Sequence, residues 1–213
     1  MKEIKERCSV RNFADKQIPD EVLKEILEAG RLAPSWVNTQ PWHFIVVKDA
    51  RNKTLLAQLA HGQCHVEAAP VVVVCCGDKS AWENESFRKT MQERGIPEDR
   101  INLLLNNSSF NPALIGEDAV NCRTLEGLTY SIAYMTLEAK AQGVGSCIVG
   151  FIGNDLTGSV PEVYELARKT LDLPEELSIM ALLLLGYPAE TSYPSEKLRK
   201  SFDEIVSFEI YGG

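Results

Sequence analysis

Ala33-Pro34-Ser35-Trp36-Val37-Asn38-Thr39-Gln40-Pro41-Trp42-His43-Phe44 carries the chain from a helical pattern into a strand pattern through a polar loop. Upstream, Ile18-Pro19-Asp20-Glu21 sets Pro and acids at a helix start, and Val22, Leu23, Ile26, Leu27 and Gly30 recur at helical spacing until Pro34. Downstream, Trp42–Lys48 is dense in aromatic and β-branched residues, as a strand requires. Between them Ser35–Pro41 is rich in Ser, Asn, Thr and Pro, the composition of a turn.

Further along, Lys53–Ala60 reads as a short amphipathic helix, and Val71–Cys76 after Pro70 as a strand apolar on both faces, hence central in its sheet. Cys75 and Cys76 are adjacent in that strand and so point to opposite faces. Ser80–Arg123 is the least regular stretch, with polar helical segments at Glu85–Arg94 and Pro97–Asn106, and reads as a mobile excursion or lid. Leu125–Gln142 forms a long helix, apolar at Leu128, Ile132, Met135 and Ala139, small at Gly127, Ser131 and Ala133, and closed by Gly143. Ser146–Phe151 is a short strand, Val160–Leu171 a helix and Leu177–Leu185 a buried strand, while Ile205–Tyr211 alternates in the manner of an edge strand on this sheet or a partner's. Without a repeat or linker, residues 1–213 read as a single α+β domain with a helical excursion at about 80–123.

Composition narrows the function. Among 213 residues, 30 acids outnumber 22 Lys and Arg for a net charge of −8, which disfavours nucleic acid or an anionic membrane as partner. Met1–Arg7 lacks an apolar leader core, and the longest apolar runs are too short to span a bilayer, so the expected location is cytoplasmic. Six cysteines without C-x-x-C spacing fit free, mostly buried thiols better than a disulfide framework or zinc ribbon.

Four constellations invite chemistry. Gly143-Val144-Gly145-Ser146 follows a helix and precedes a strand, the reverse of a dinucleotide fingerprint, so it reads as a helix cap and tight turn. His61, Cys64 and His65 would share a face if the segment were helical, but Gly62 weakens that helix and no further ligand is near, so metal is not expected. No G-x-S-x-G elbow supports a hydrolase, and His43 lies inside a strand. In Arg7-Cys8-Ser9-Val10-Arg11, an extended backbone would turn Arg7, Ser9 and Arg11 the same way; this is either an anion-binding edge or a solvated basic patch near Lys2 and Lys5. A second basic cluster, Lys197-Leu198-Arg199-Lys200, lies near the other end.

Taken in order, Arg7–Phe13, Ala33–Phe44, Ala69–Val74, Leu137–Gly150, Leu185–Pro188 and Lys197–Arg199 resemble the FMN-dependent nitroreductase family. The R-x-S-x-R segment followed, after one helix, by APS-x-x-N-x-QPW-x-F is the specific part. The resemblance implies a three-layer α/β/α sandwich with a mixed, mainly antiparallel sheet, in an intertwined homodimer with FMN at the subunit interface. It implies flavin contacts from Arg7 and Ser9 on the phosphate side, from Arg11 at the N1/O2 edge, and from Cys8 in the same segment. Pro34, Ser35 and Asn38, with Gln40 in the same motif, match a loop contributed by the other subunit. Val149 and Gly150 match the segment whose backbone N–H faces flavin N5, and Lys197 and Arg199 a C-terminal phosphate clamp.

The activity implied is hydride transfer from NADH or NADPH through flavin N5 to nitroaromatic, quinone or related small-molecule acceptors in a ping-pong cycle, with no catalytic side chain beyond the flavin. A specialised relative acting by dehalogenation or flavin remodelling, or a non-catalytic flavin-binding redox sensor, would use the same contacts. Gly127 or Leu128 replaces an acid common in the family, and Ile148 an aromatic; these departures bear on the acceptor pocket, as do Trp36 and the Trp82–Cys122 excursion.

Overall fold

A computed structural model describes residues 2–189 and 197–212. Four strands, β1 (Trp42–Val47), β2 (Val71–Asp78), β3 (Gly145–Val149) and β4 (Leu177–Gly186), form one sheet in the order β1-β2-β4-β3, each neighbour pair antiparallel. The parallel component is an isolated bridge between Ser9 and Ser146. β2 and β4 are central and buried almost end to end, as apolarity on both faces requires.

Alternation along these two strands feeds two cores. Val72, Val74, Cys76, Leu182 and Leu184 face Leu56 and Leu59 of α3 (Ala50–Leu59), Val66 of α4 (Cys64–Ala68) and Tyr164 and Ala167 of α8 (Pro161–Thr170). Val71, Val73, Cys75, Leu183 and Leu185 face Leu23 and Ile26 of α2 (Asp20–Arg31) and Leu128, Ile132, Met135 and Ala139 of α7 (Glu117–Ala141). The result is helix, sheet, helix in three layers. Cys75 and Cys76 fall in opposite cores, across a register shift against β4. The small face of α7 receives α2 closely: Ser131 Oγ donates to the Gly30 carbonyl at 2.7 Å, and a Cβ on Gly30 would lie 2.7 Å from Met135 Cγ.

Two sequence readings need correction. α7 starts at Glu117, not Leu125, directly after Gly116 and with Glu117 and Asp118 in its first turn. Its early residues make polar contacts, Trp82 Nε1 donating to Thr124 Oγ1 at 2.8 Å, so apolar periodicity is silent there. The helical segments expected in the excursion are present as α5 (Asn84–Glu93) and α6 (Glu98–Leu105), which share a core of their own from Phe87, Met91, Ile101 and Leu105. Within a single chain Ile205–Tyr211 forms no strand on this sheet; Ile205, Phe208, Ile210 and Tyr211 stand exposed. Among the described residues no helix is long and apolar enough to cross a membrane.

Candidate functional site

The segment after α1 (Lys2–Glu6) runs along the outer edge of β3, where Val10 N–H donates to the Ser146 carbonyl at 2.9 Å. Gly145 makes this approach possible, since a Cβ there would lie 2.8 Å from Val10 Cγ2 and 2.9 Å from Val10 Cβ. The sequence shows Gly145 only as part of a turn; its close-packing role depends on a residue 135 positions away and has no local signal.

Arg7, Cys8, Ser9 and Arg11 meet Lys197, Leu198 and Arg199 around an open cleft of about 380 Å³. Lys197 Nζ donates to the Lys5 carbonyl at 2.6 Å, tying the C-terminal segment to the end of α1. Arg199 Nη1 donates to the Leu198 carbonyl at 2.7 Å. Among the described residues none of Arg7, Arg11, Lys197 and Arg199 forms an ion pair. Four cations converging in a chain of net charge −8 suit a polyanionic group such as a phosphate.

Their field is felt by neighbours. Burial pushes the Cys147 thiol up, opposed by Arg11, Ser9 and Arg7. Burial also lowers His65, and the Arg11 charge lowers it further. His61, Cys64 and His65 do not share a helical face: α4 starts at Cys64, while His61 sits at φ 55° and stacks on Phe151 with centroids 4.2 Å apart. Gln63, which the sequence gave no reason to single out, donates from Nε2 to the Ala60 and Phe151 carbonyls at 3.0 Å each.

Beyond the Ser9–Ser146 bridge the β3 edge pairs with no further strand among the described residues. Strand alternation turns the polar groups of Ser146, Ile148 and Gly150 outward and those of Val149 inward to β4. Val149 is buried and Gly150 exposed, and the Gly150 N–H has no acceptor among the described residues. Between the two neighbours matched by motif, Gly150 presents the available donor.

The Ser35–Gln40 loop is held under strain. Val37, Asn38 and Gln40 adopt φ of 54°, 61° and 49°, which a β-branched residue such as Val37 rarely takes. Local bonds hold it: Gln40 N–H donates to Ser35 Oγ at 2.9 Å, Thr39 Oγ1 to the Trp36 carbonyl at 2.9 Å, and Arg94 Nη1 of the excursion to the Val37 carbonyl at 3.0 Å. Pro34, Asn38 and Gln40 are exposed and Ser35 half-buried, and the Asn38 carboxamide makes no hydrogen bond among the described residues. Trp36 lies against Phe110 and beneath Arg123, contacts the sequence did not disclose because Arg123 fell before the expected start of α7.

The two groups do not meet within one chain. Glu6, beside Arg7, pairs with Lys140 at 3.4 Å near the end of α7, whereas Arg123 near its start covers Trp36 with 4.3 Å from guanidinium carbon to ring centroid. At 1.5 Å per residue those anchors are about 25 Å apart along the helix.

A basic cleft on a strand edge and a strained polar loop, set at opposite ends of one long helix in a three-layer α/β/α fold, define a class: the chain belongs to the Nitroreductase family, whose sequence pattern matches residues 4–187. A Thermus thermophilus protein named NADH dehydrogenase is 34% identical over 90% of this chain and 88% of its own. A Bacillus subtilis protein named FMN reductase [NAD(P)H] is 26% identical over 93% of this chain and 69% of its own. The crystal structure of a nitroreductase-like protein from Streptococcus mutans shares the fold with a TM-score of 0.78 at 23% identity, covering 97% of this chain and 96% of that one.

Proposed function

We propose that the protein is an FMN-dependent NAD(P)H oxidoreductase that reduces nitroaromatic, quinone or related acceptors, with each site shared between two copies of the chain. The observation that carries the reading is the cleft of Arg7, Arg11, Lys197 and Arg199, whose Ser9 bridges to Ser146 of β3, the strand that leads on to Gly150, where the N–H has no acceptor among the described residues. Those residues fit FMN: cations for its phosphate, a cation and a backbone donor for its ring edges, and a carboxamide on Asn38 for the pyrimidine side. When bound, FMN supplies two-electron chemistry between NAD(P)H and the acceptor.

The chain's own part is binding and orientation. Arg7, Ser9, Lys197 and Arg199 hold the phosphate end, with Cys8 contributing backbone between them. Arg11 places positive charge where negative charge accumulates on reduction, and Gly150 N–H supplies a fixed donor that needs no reorganisation. Pro34, Ser35, Asn38 and Gln40 of a second copy close the other side. The approximately 25 Å span of α7 separates the halves, so a partner chain is needed to join them. Exposed Leu125, Tyr130 and Tyr134 on α7 and the apolar tail offer area for such a contact. Reductant and acceptor using one face in turn gives parallel double-reciprocal lines in initial-rate kinetics.

The test is the visible absorption spectrum of purified protein before and after anaerobic NADH, then NADPH. The expected result is FMN at one per chain that bleaches with a dinucleotide and returns when an acceptor is added. A protein that takes up no FMN, or holds FMN that neither dinucleotide reduces, contradicts the proposal; the second result fits a redox sensor.

A further inference from the structure

The excursion and α7 border an open cavity of about 560 Å³, lined among others by Phe110, Arg123 and Glu126. Its size is that of a small-molecule site. Three features give it a chemical preference. Trp36 and Phe110 present tilted rings 6.2 Å apart, with Trp36 Nε1 fixed by the Phe110 carbonyl at 3.2 Å. Arg123 lies over the Trp36 ring at 4.3 Å, and the stack holds its guanidinium plane in place. Glu126 takes only one nitrogen of that plane, Nη1, at 2.7 Å, while its other oxygen accepts from Tyr130 Oη at 3.2 Å. The Nε and Nη2 edge of Arg123 has no acceptor among the described residues.

That edge is the fork a carboxylate meets with two parallel hydrogen bonds. We infer that this cavity binds a flat aromatic carboxylate, its ring against Phe110, which Trp36 backs, and its carboxylate on the Nε and Nη2 edge of Arg123, and that such aromatic acids are the preferred acceptors. This deepens the oxidoreductase reading and rests on it for the word acceptor; the binding preference itself does not. A neutral arene of the same shape keeps the ring contacts and lacks the fork.

The experiment compares 4-nitrobenzoate with its neutral isostere 4-nitrobenzamide on the purified oxidised holoenzyme by equilibrium dialysis, then by kcat/KM with NADH. The wild type should favour the carboxylate about tenfold to a hundredfold, the range of a charge-assisted pair. Arg123→Gln should bring the ratio close to one, and Arg123→Lys, which keeps charge without the fork, should fall between. Phe110→Ala should weaken both probes alike, whereas Trp36→Ala, which frees the Arg123 guanidinium plane, should also lower the ratio. Equal binding of the two probes by the wild type, or a preference that survives Arg123→Gln, overturns the inference. Bleaching by NADH, recorded separately, decides the redox reading: a carboxylate preference in dialysis without bleaching keeps the site and removes only its role in reduction.

Discussion

Arg7 and Gly145 show two ways a residue serves the basic cleft. Arg7 is legible in the sequence, because alternate placement with Ser9 and Arg11 in extended backbone aligns three polar groups; Gly145 is not, because its smallness matters only against Val10. If Arg7 meets the FMN phosphate, Arg7→Ala removes a charge-assisted bond worth about 1.5–3 kcal/mol and should weaken FMN binding about tenfold to a hundredfold, measured by flavin fluorescence titration. Unchanged affinity would take Arg7 out of the site. The thiols give a second residue-level expectation. Burial pushes Cys76 up to about 12 and raises Cys75 as well, with the Cys76 charge adding to it, whereas Cys64 and Cys122 are exposed. The thiolate is the reactive form, so iodoacetamide at pH 8 should alkylate Cys64 and Cys122 and spare Cys75 and Cys76 until denaturant is added. Intact-mass analysis with peptide mapping checks this; early labelling in β2 would contradict the burial.

Elements whose signal is a long apolar repeat could be read from the chain alone, and those organised by polar contacts could not. α2, β2 and β4 fall close to their expected bounds because each turns a continuous apolar face to a core. The first two turns of α7 were hidden because Thr124 and Arg123 meet Trp82 and Trp36 through a hydroxyl and a cation. The loop Ser35–Gln40 was placed correctly, but its three left-handed residues were not foreseeable from a sequence without Gly there. At this scale the decisive contact is the seam between the Ser9–Val10 segment and β3. Gly145→Val overfills it, at a cost of about 1–3 kcal/mol, and should lower the urea midpoint and FMN affinity together as the segment shifts from the strand edge. A variant that loses stability but keeps full FMN affinity would show that the seam does not position the cleft.

Across the whole molecule, charge and length set the terms. A chain of net charge −8 gathers four cations without an ion pair among the described residues in one cleft and leaves its strained polar loop about 25 Å away along α7. The resemblance in the sequence supplied the list of site residues, but only the fold shows that one chain keeps the two groups apart. A two-fold pairing would unite the cleft of each copy with the loop of the other, so defects in the two halves should complement. The most direct measurement is therefore NADH-dependent reduction by co-expressed Arg7→Ala and Asn38→Ala chains. Each variant alone carries a defect in both sites. In randomly paired chains half the dimers are mixed and each mixed dimer has one intact site, so about a quarter of wild-type activity should return. Activity no higher than the mean of the two single variants would contradict a site shared between copies of this chain.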